Sequence, residues 1–472
     1  MAKKTKKTKK RRSSALPLLL ILLCTAGNLW ATGKTLTKNE FLGIVRSYHP
    51  FIKQADVRIA RSQAEVLGAH GAFDPVVAAG VQRKILNDKL YYSYFNPEVT
   101  IPTWYGIDLK AAMDDANGSY LNPETTPGKV GYAGVKINLN TIVYDRRRAA
   151  LQQARLALGM SQYERIQTVN NLMYDALAAY WEWVRDYEVY RVTTAQAEAS
   201  RERIKLVRTE VEQGARAAID TAEAIAQYQA LMQQQQNAEL MWLTAGYDLS
   251  GYLWLDDGSP ARLPADVVPD ATALDMADDI APMFDSLLSQ ASFHPKLKML
   301  DAKIDILELD QKLKKQYLLP KLAVSGGVLT KDANFSKLTS TSIPENHKAG
   351  IDFNMPLFLR DARANLKQAT LKIRETELEK SYTGLQIENK LRSSFAEFTS
   401  LRGQISSYET AVRSYRALYN GELRKFATGE STIFMINTRE LKLLEASQKL
   451  IELRAKLQKS YAGIYYAAGL LR

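Results

Sequence analysis

The feature that most constrains the fold is a proline-free stretch of 116 residues from Leu357 to Arg472. In its first part, large apolar residues recur seven positions apart: Leu391, Phe398, Ile405, Val412, Tyr419 and Phe426. A heptad pattern of this length predicts a long helix that packs against a partner along its whole length. From Leu359 to Gly429 is 70 residues, which as a helix would extend about 105 Å. A compact globular domain is not that wide.

The heptad pattern is interrupted once, at the polar segment Gly429-Glu430-Ser431-Thr432. Beyond this segment, apolar residues again alternate at steps of three and four: Leu443, Ala446, Leu450, Leu453 and Leu457. Glycine is the residue that most readily ends a helix, because it adopts the left-handed conformation without strain. The stretch is therefore predicted to form two antiparallel helices joined at Gly429.

The formal net charge of +12 is concentrated at the beginning of the chain. Eight basic residues lie there: Lys3, Lys4, Lys6, Lys7, Lys9, Lys10, Arg11 and Arg12. The apolar run Ala15–Cys24 follows them directly, and small residues around Ala31 come next. This order predicts a secretory signal peptide over residues 1–31, so no nucleic-acid partner is expected. Cleavage near Ala31 would leave a net charge of 12 − 8 = +4.

Cys24 is the only cysteine, so the sequence excludes disulfides and thiolate metal clusters. Leu23 precedes it where a lipoprotein signal carries a small residue, so we expect Cys24 to leave with the signal peptide, with lipidation as the alternative.

After the signal, no apolar run approaches the roughly 18 residues of a spanning helix. We find no phosphate-binding loop, nucleophile elbow or zinc-ligand spacing. No catalytic, cofactor or metal site is predicted, and the chain is not expected to be an enzyme.

Two segments of the chain begin and end with the same signals, which indicates an internal duplication. In the first, a capping box at Thr37 opens a helix, His49-Pro50 starts a second helix and Asp74-Pro75 ends it. In the second, His294-Pro295 starts a helix and Leu319-Pro320 ends it. The distance between the two prolines is 25 residues in both copies, 75 − 50 and 320 − 295.

Each copy continues with segments of alternating apolar and polar residues, and then with a long helix. Four strands per chain are predicted, at Val76–Lys84, Val135–Leu139, Leu322–Leu329 and Ile351–Met355. The alternation gives the strands one apolar and one polar face. Residues 87–128 are predicted to be a long loop rich in aromatic residues. Such residues are typical of a membrane interface, although packing within the loop explains them equally well.

The duplication also predicts the domain organisation. The first repeat covers residues 32–254 and ends in a helical hairpin that starts near Asp145 and turns at Gly214. A connector over residues 255–282 contains four prolines and is predicted to be irregular. The second repeat covers residues 283–472, and its hairpin turns at Gly429.

The predicted fold class is mainly α-helical, with long coiled-coil hairpins and a membrane β-barrel portion. Lipid tolerates no open sheet edge, and the smallest barrels have about eight strands. Four strands from one chain cannot close such a barrel, so several chains must contribute. The heptad pattern independently requires lateral helix partners. Both arguments predict a homo-oligomer.

These features resemble the TolC-like outer membrane efflux proteins, over the range Thr37 to Leu471. The resemblance is carried by the paired proline-bounded segments and by Met355-Pro356-Leu357-Phe358, which is similar to the family's turn from strand to long helix. Tyr144-Asp145-Arg146-Arg147-Arg148 is similar to the first-repeat version of that turn, without its proline. Gly214 and Gly429 stand at the family's hairpin turns.

The resemblance implies a homotrimer in which a 12-stranded outer-membrane barrel continues as an α-helical tunnel through the periplasm. It implies an exit duct of a tripartite efflux or type I secretion system, which passes substrates passively to the exterior. The implied partners are a periplasmic adaptor (membrane fusion) protein, an inner-membrane transporter and outer-membrane lipid. The alternative is a periplasmic adaptor or coiled-coil scaffold of an export complex. An exported enzyme is disfavoured because no catalytic constellation is present.

The resemblance also assigns adaptor docking and gating to the hairpin tips. The residues concerned are Gly214, Ala215, Arg216 and Asp220 in the first hairpin, and Gly429, Glu430, Ser431 and Thr432 in the second. In this family, acidic residues often line the closed aperture six and nine positions after the second glycine. Met435 and Thr438 occupy these positions here. An acidic gate on the side of the second glycine is therefore in doubt, whereas Asp220 keeps the family's acidic residue in the first copy and Glu430 lies nearby.

Arg216 is expected to pair with an acid on a neighbouring hairpin and to hold the tip shut. Glu440 is expected to be a solvated charge on a helix. His49 and His294 occupy corresponding places in the two copies, and a capping role is expected for both rather than metal binding. The aromatic residues in the middle of the first long helix are expected to pack a helix seam: Tyr180, Trp181 and Trp183.

Overall fold

The computed structural model describes residues 35–270, 272, 274, 283–337 and 343–471. The predicted signal peptide, with Cys24, and part of the predicted connector lie outside the described residues. Long helices and one large sheet make up most of the described chain. This confirms the predicted fold class of helical hairpins with a β portion. Within the described residues, no helix is long and apolar enough to cross a membrane.

The secondary-structure elements follow the predicted duplication. The helices are α1 (Lys38–Tyr48), α2 (Pro50–His70), α3 (Leu139–Val143), α4 (Arg146–Glu212), α5 (Ala218–Ser250), α6 (Phe284–Gln290), α7 (Pro295–Gln316), α8 (Arg360–Ala427) and α9 (Ile433–Ala467). The strands are β1 (Thr35–Leu36), β2 (Val76–Leu86), β3 (Lys89–Pro102), β4 (Ile107–Asn117), β5 (Gly128–Asn138), β6 (Val268–Pro269), β7 (Lys321–Lys331) and β8 (His347–Asn354).

The described residues form two compact units. The hairpin unit contains residues 35–50, 173–270, 272, 274 and 395–462, and the sheet unit contains 51–172, 283–337, 343–394 and 463–471.

The sheet unit is built around one antiparallel sheet with the strand order β2-β3-β4-β5-β7-β8. The sheet has six strands, not the four that the sequence predicted. The two additional strands, β3 and β4, occupy the segment 87–128 that was predicted to be a loop. Asn96, Pro97 and Pro102 resemble turn signals, and they obscured the strand pattern of β3. In the structure Pro97 lies opposite Ala79 within the sheet.

The four predicted strands are all present as β2, β5, β7 and β8. They differ from the prediction mainly at their ends. Leu139, predicted to close the second strand, begins the short helix α3 instead, and Met355 follows β8. The order of the sheet places β3 and β4 between β2 and β5. The two copies therefore contribute unequally, with four strands from the first and two from the second.

The histidines before α2 and α7 cap helices, as predicted. His294 Nδ1 accepts a hydrogen bond of 3.1 Å from the backbone N–H of Lys296 in the first turn of α7. Burial and the nearby Lys296 charge lower the pKa of His294 to about 4, so the ring is neutral near pH 7 and Nδ1 is free to accept. His49 ends α1, where its backbone N–H donates to the Val45 carbonyl oxygen at 3.1 Å.

The core of the hairpin unit follows the predicted heptads. Val412 of α8 packs against Leu443 and Ala446 of α9, which confirms the antiparallel hairpin. The mid-helix aromatic residues of α4 are all 2% exposed or less, as predicted for a seam: Tyr180, Trp181 and Trp183. The Tyr180 hydroxyl donates to the carbonyl oxygen of Leu36 in β1 at 3.0 Å. The heptad and aromatic residues therefore serve packing.

Candidate functional site

The two hairpin turns have the same backbone geometry. Gly214 and Gly429 adopt left-handed φ angles of 73° and 79°. The N–H of Gly214 donates to Val211 O at 2.9 Å, and that of Ala215 donates to Glu210 O at 2.8 Å. The second turn repeats this pattern, from Gly429 to Phe426 O at 3.1 Å and from Glu430 to Lys425 O at 2.8 Å. Both helices thus end in a Schellman motif, which requires the positive φ that glycine tolerates best.

Arg216 joins the two turns to each other. Its guanidinium lies over the Phe426 ring, with 3.6 Å between Cζ and the ring centroid. Arg216 Nη2 also donates to the Phe426 carbonyl oxygen at 3.2 Å, and this oxygen accepts the Schellman bond from Gly429 as well. The ion pair of Arg216 is made to Glu210 on its own hairpin. The prediction of an acidic partner on the neighbouring hairpin is thus wrong within one chain, because that hairpin offers a ring and a carbonyl instead.

The second turn is stabilised by its own polar side chains. The Ser431 hydroxyl donates to the Glu422 carboxylate on α8. Thr432 stands just before α9, where its Oγ1 accepts from the backbone N–H of Met435 at 3.4 Å, a capping contact. Glu430 is exposed. Most of the predicted docking residues are thus exposed at the two turns. Hydrogen bonds within each hairpin fix their conformation.

Two apolar side chains at the turns were not identified from the sequence. Ile219 is 73% exposed and Phe434 is 63% exposed. Each lies five residues after the glycine of its own turn, so they are equivalent positions of the duplication. Aligning the two copies on Gly214 and Gly429 would have identified the pair. Their repeated exposure is informative because the neighbouring Ile433 and Ile436 are buried.

The acidic residues near the turns differ in burial. Asp220 lies in the first turn of α5 and is 23% exposed, with Oδ2 at 3.9 Å from Arg216 Nη1. Thr438 is neutral and its hydroxyl donates to Phe434 O at 2.8 Å. Glu440, expected to be solvated, has no exposed surface. That expectation is wrong, because the register of α9 turns Glu440 into the packed interface between the two hairpins.

Glu440 forms an ion pair with Arg203 of α4. The Arg203 Nη2 to Glu440 Oε1 distance is 2.6 Å, and the Nη1 to Oε2 distance is 3.0 Å. Gln196 Nε2 donates to Glu440 Oε1 at 2.8 Å, and Arg203 Nη2 donates to the Tyr419 hydroxyl at 2.8 Å. Both carboxylate oxygens therefore accept hydrogen bonds from side chains of α4. No local sequence signal predicts this pair, because 237 residues separate its partners.

Burial and ion pairing change the pKa values of Arg203 and Tyr419. Removal of Arg203 from water disfavours its charge, but the bonds to Glu440 outweigh this effect and raise the pKa of Arg203. Burial raises the pKa of Tyr419, so its hydroxyl keeps the proton. A buried ion pair is costly to break, because a single unpaired charge there is strongly destabilising. We therefore expect the cluster to keep the two hairpins in one register.

The predicted strand-to-helix turns lie in the sheet unit and differ in exposure. Tyr144 and Asp145 are buried, at 3% and 4% exposure. Asp145 Oδ1 accepts from the backbone N–H of Arg148 at 2.8 Å and so caps α4. In the second copy, Pro356 is exposed, Leu357 is 92% exposed and Phe358 is 69% exposed. The strand-to-helix turn is thus buried in the first copy and exposed in the second.

Comparison with known proteins supports the resemblance drawn from the sequence. The sequence profile of the outer membrane efflux protein family matches residues 289–470. No curated protein sequence matches the chain significantly. The match falls on the second copy, which contains α7, β7, β8 and the hairpin α8–α9. The first copy carries the two additional strands.

Solved structures match over nearly the whole chain. The CmeC outer membrane channel of Campylobacter jejuni has a TM-score of 0.66 at 13% identity, with 92% of this chain and 85% of that chain covered. The outer membrane protein VceC of Vibrio cholerae has a TM-score of 0.64 at 14% identity, with 91% and 95% covered. The open MtrE outer membrane channel of Neisseria gonorrhoeae has a TM-score of 0.65 at 14% identity, with 92% and 89% covered. The chain therefore has the fold of these proteins, and its resemblance to the TolC-like efflux proteins is confirmed.

We expect Arg203→Ala to destabilise the hairpin unit by about 3–5 kcal/mol, because it leaves the Glu440 carboxylate buried without its cation. The double variant Arg203→Met with Glu440→Leu should be more stable than Arg203→Ala, since it removes both charges. Urea unfolding followed by circular dichroism measures both effects. Arg208→Ala, at an exposed position of the same helix, serves as the control. A double variant less stable than Arg203→Ala would contradict a role for the unpaired charge.

Proposed function

We propose that this chain forms the outer-membrane exit duct of an export complex. In this proposal three copies assemble, their sheets close one barrel in the outer membrane, and their helices line a tunnel in the periplasm. The duct is passive and performs no chemistry, and the energy for export comes from an inner-membrane transporter. Efflux and type I secretion both use such a duct.

The observation that carries the proposal is the apolar helix surface that one chain leaves exposed. On α8, Leu371, Leu378 and Leu385 lie seven residues apart and are 57%, 56% and 54% exposed. Leucines at heptad spacing form the contact seam of a coiled coil, so they favour a helix from another copy as their partner. Leu357 and Phe358, just before α8, add to this open surface. The exposed second-copy turn is thus expected to be covered by a neighbouring subunit.

The sheet supplies the argument for a membrane. Val77 and Val81 of β2 are 75% and 72% exposed, and Ile351 and Phe353 of β8 are 74% and 67% exposed. The strand register places all four on the same face of the sheet. Lipid is a natural partner for such a face. The alternative of a periplasmic adaptor or scaffold leaves this face unexplained.

The hairpin tips supply the argument for an adaptor. Ile219 and Phe434 are exposed at equivalent places beside Gly214 and Gly429. Equivalent apolar side chains on two hairpins offer one partner two similar sites, as expected for repeated contacts with a periplasmic adaptor. The turn residues Ala215, Arg216, Glu430, Ser431 and Thr432 would border these contacts. We assign docking to this surface and gating to Arg216, whose contact with Phe426 joins the hairpins.

We expect the protein to sediment with outer membranes, to run as a trimer that dissociates in SDS, and to conduct ions in planar bilayers. These results follow from a closed barrel with an aqueous bore. Membrane fractionation, native mass determination and single-channel recording measure them. Recovery as a soluble periplasmic monomer would contradict the duct.

Arg216→Ala should increase the single-channel conductance severalfold. The substitution removes both the stacking on Phe426 and the hydrogen bond to its carbonyl oxygen, which weakens the contact between the hairpins at the turns. Arg208→Ala removes an exposed arginine from α4, the helix before this turn, and should leave the conductance unchanged. Equal conductance for Arg216→Ala and the unvaried channel would exclude Arg216 from gating.

Gly429→Pro, or a bulky insertion at Gly214, should abolish binding of the periplasmic adaptor without preventing trimer assembly. Proline cannot adopt the φ of 79° found at Gly429, and it lacks the N–H that bonds to Phe426 O. Crosslinking to the adaptor in cells measures docking, and native electrophoresis measures assembly. The same insertion after Glu124, in the β4–β5 loop, is the control. Unchanged crosslinking with the tip variants would remove the docking assignment.

A further inference from the structure

The first copy of the duplication contributes an additional hairpin to the sheet. This hairpin, β3–β4, pairs along β2 on one side and along β5 on the other. β4 pairs with β5 from Ile107↔Ile137 to Ala116↔Gly128, which is nearly the full length of both strands. The hairpin is therefore a continuous part of the sheet. β3 and β4 contain 14 and 11 residues, enough for each to cross a bilayer, since a tilted transmembrane strand needs about 9–11.

The hairpin has the two-faced pattern of a membrane strand pair. One face continues the apolar surface of Val77 and Val81 and carries Phe95, Pro97, Val99, Ile101, Leu109, Ala111 and Met113. Polar residues of this face lie at the end of the hairpin away from its turn: Ser93, Asp115 and Asn117. The opposite face is mainly polar and carries Asn96, Glu98, Thr100, Asp108, Lys110 and Asp114. On this polar face, Lys110 Nζ lies 2.6 Å from Glu98 Oε2. Apolar residues toward lipid and paired charges toward water are what a barrel wall requires.

The turn between β3 and β4 is attached to the places where strands meet helices. The Trp104 ring stacks on Phe73, just before β2, with 5.3 Å between the centroids. Arg147, in the first turn of α4, places Nη1 at 3.0 Å from Asp108 Oδ1. The Thr103 hydroxyl closes the turn by donating to Ile107 O at 2.7 Å. These contacts hold the turn level with the helix ends of β2 and β5, so the hairpin runs the full height of the sheet.

The sheet ends in two strands that lack an outer partner among the described residues, β2 and β8. All side chains of β2 and seven of the eight residues of β8 are exposed. Because every neighbouring pair is antiparallel and the strand number is even, β2 of one chain and β8 of the next run in opposite directions. They can therefore pair as an ordinary antiparallel ladder. In lipid such edges must be closed, because no water is present to bond the free backbone groups.

We propose that the partner on both edges is a second copy of this chain, and that each chain gives six strands to the barrel. This inference rests on the proposed homotrimeric duct. Three chains with six strands each make 18 strands, instead of the 12 expected from four strands per chain. Barrel diameter grows roughly linearly with strand number, so the outer-membrane pore is about 1.5 times as wide. The polar residues of β3 and β4 then line the added part of the bore, which suits cargo bulkier than small solutes.

Cysteine labelling in intact outer membranes tests the placement of the hairpin. Ala111 and Ala112 are neighbours in β4, and the register places Ala111 on the apolar face and Ala112 on the polar face. We expect a charged, membrane-impermeant maleimide to label Ala112→Cys and to leave Ala111→Cys unlabelled. The unvaried chain, whose only cysteine is in the predicted signal peptide, is the blank. Equal labelling of both variants, or labelling of Ala111→Cys alone, would overturn the proposal.

Electron cryo-microscopy of the unvaried protein in lipid nanodiscs counts the strands directly. A barrel cross-section of 18 strands in a trimer is the expected result. A trimer with a 12-stranded barrel, with β3 and β4 outside the wall, would overturn this inference and leave the proposed duct intact. A particle without a barrel would remove the proposed function and this inference together.

Discussion

A bilayer offers no water to an unpaired backbone amide, and the proposed barrel depends on this constraint. The six strands of the large sheet satisfy one another by antiparallel pairing, and their register places most of the apolar side chains on one face. One chain nevertheless leaves two edges open. A single copy is therefore incomplete in lipid, because the backbone groups of its edge strands, β2 and β8, lack partners among the described residues. In the proposed duct, further copies close these edges, and the number of strands in each copy then sets the width of the pore.

The long helices also need partners, because an apolar stripe at heptad spacing is stabilised by packing against another helix. On α8 the buried stripe, with Leu391 and Phe398, meets partners within the chain. The exposed stripe of Leu371, Leu378 and Leu385 does not. The step from Leu385 to Leu391 is six residues instead of seven, so the apolar side of the helix changes direction there. The helix thus packs within its own chain over one part, and in the proposed trimer its other part would pack against a neighbouring subunit.

The hairpin tips combine a fixed interior with an open surface. Arg203 and Glu440 lock the packed helices through a buried ion pair, which is costly to break because either partner alone would be an unpaired charge. Near the turns, Arg216 contacts the ring and the carbonyl oxygen of Phe426. In the proposed gate, the tip opens where Arg216 makes this contact, while the Arg203–Glu440 pair keeps the register of the hairpins behind it.

The sequence by itself determined the duplication, the proline-bounded helices, the glycine turns and the helical hairpins, because these depend on local propensities and short periodicities. It also identified four of the six strands of the large sheet. Only the tertiary structure decided that β3 and β4 join the sheet, since Pro97 and the polar residues of that segment are acceptable there only through pairing with β2 and β5. Likewise, the burial of Glu440 and the contact of Arg216 with Phe426 depend on residues more than 200 positions away. Such pairings are set by how helices pack, which no local pattern encodes.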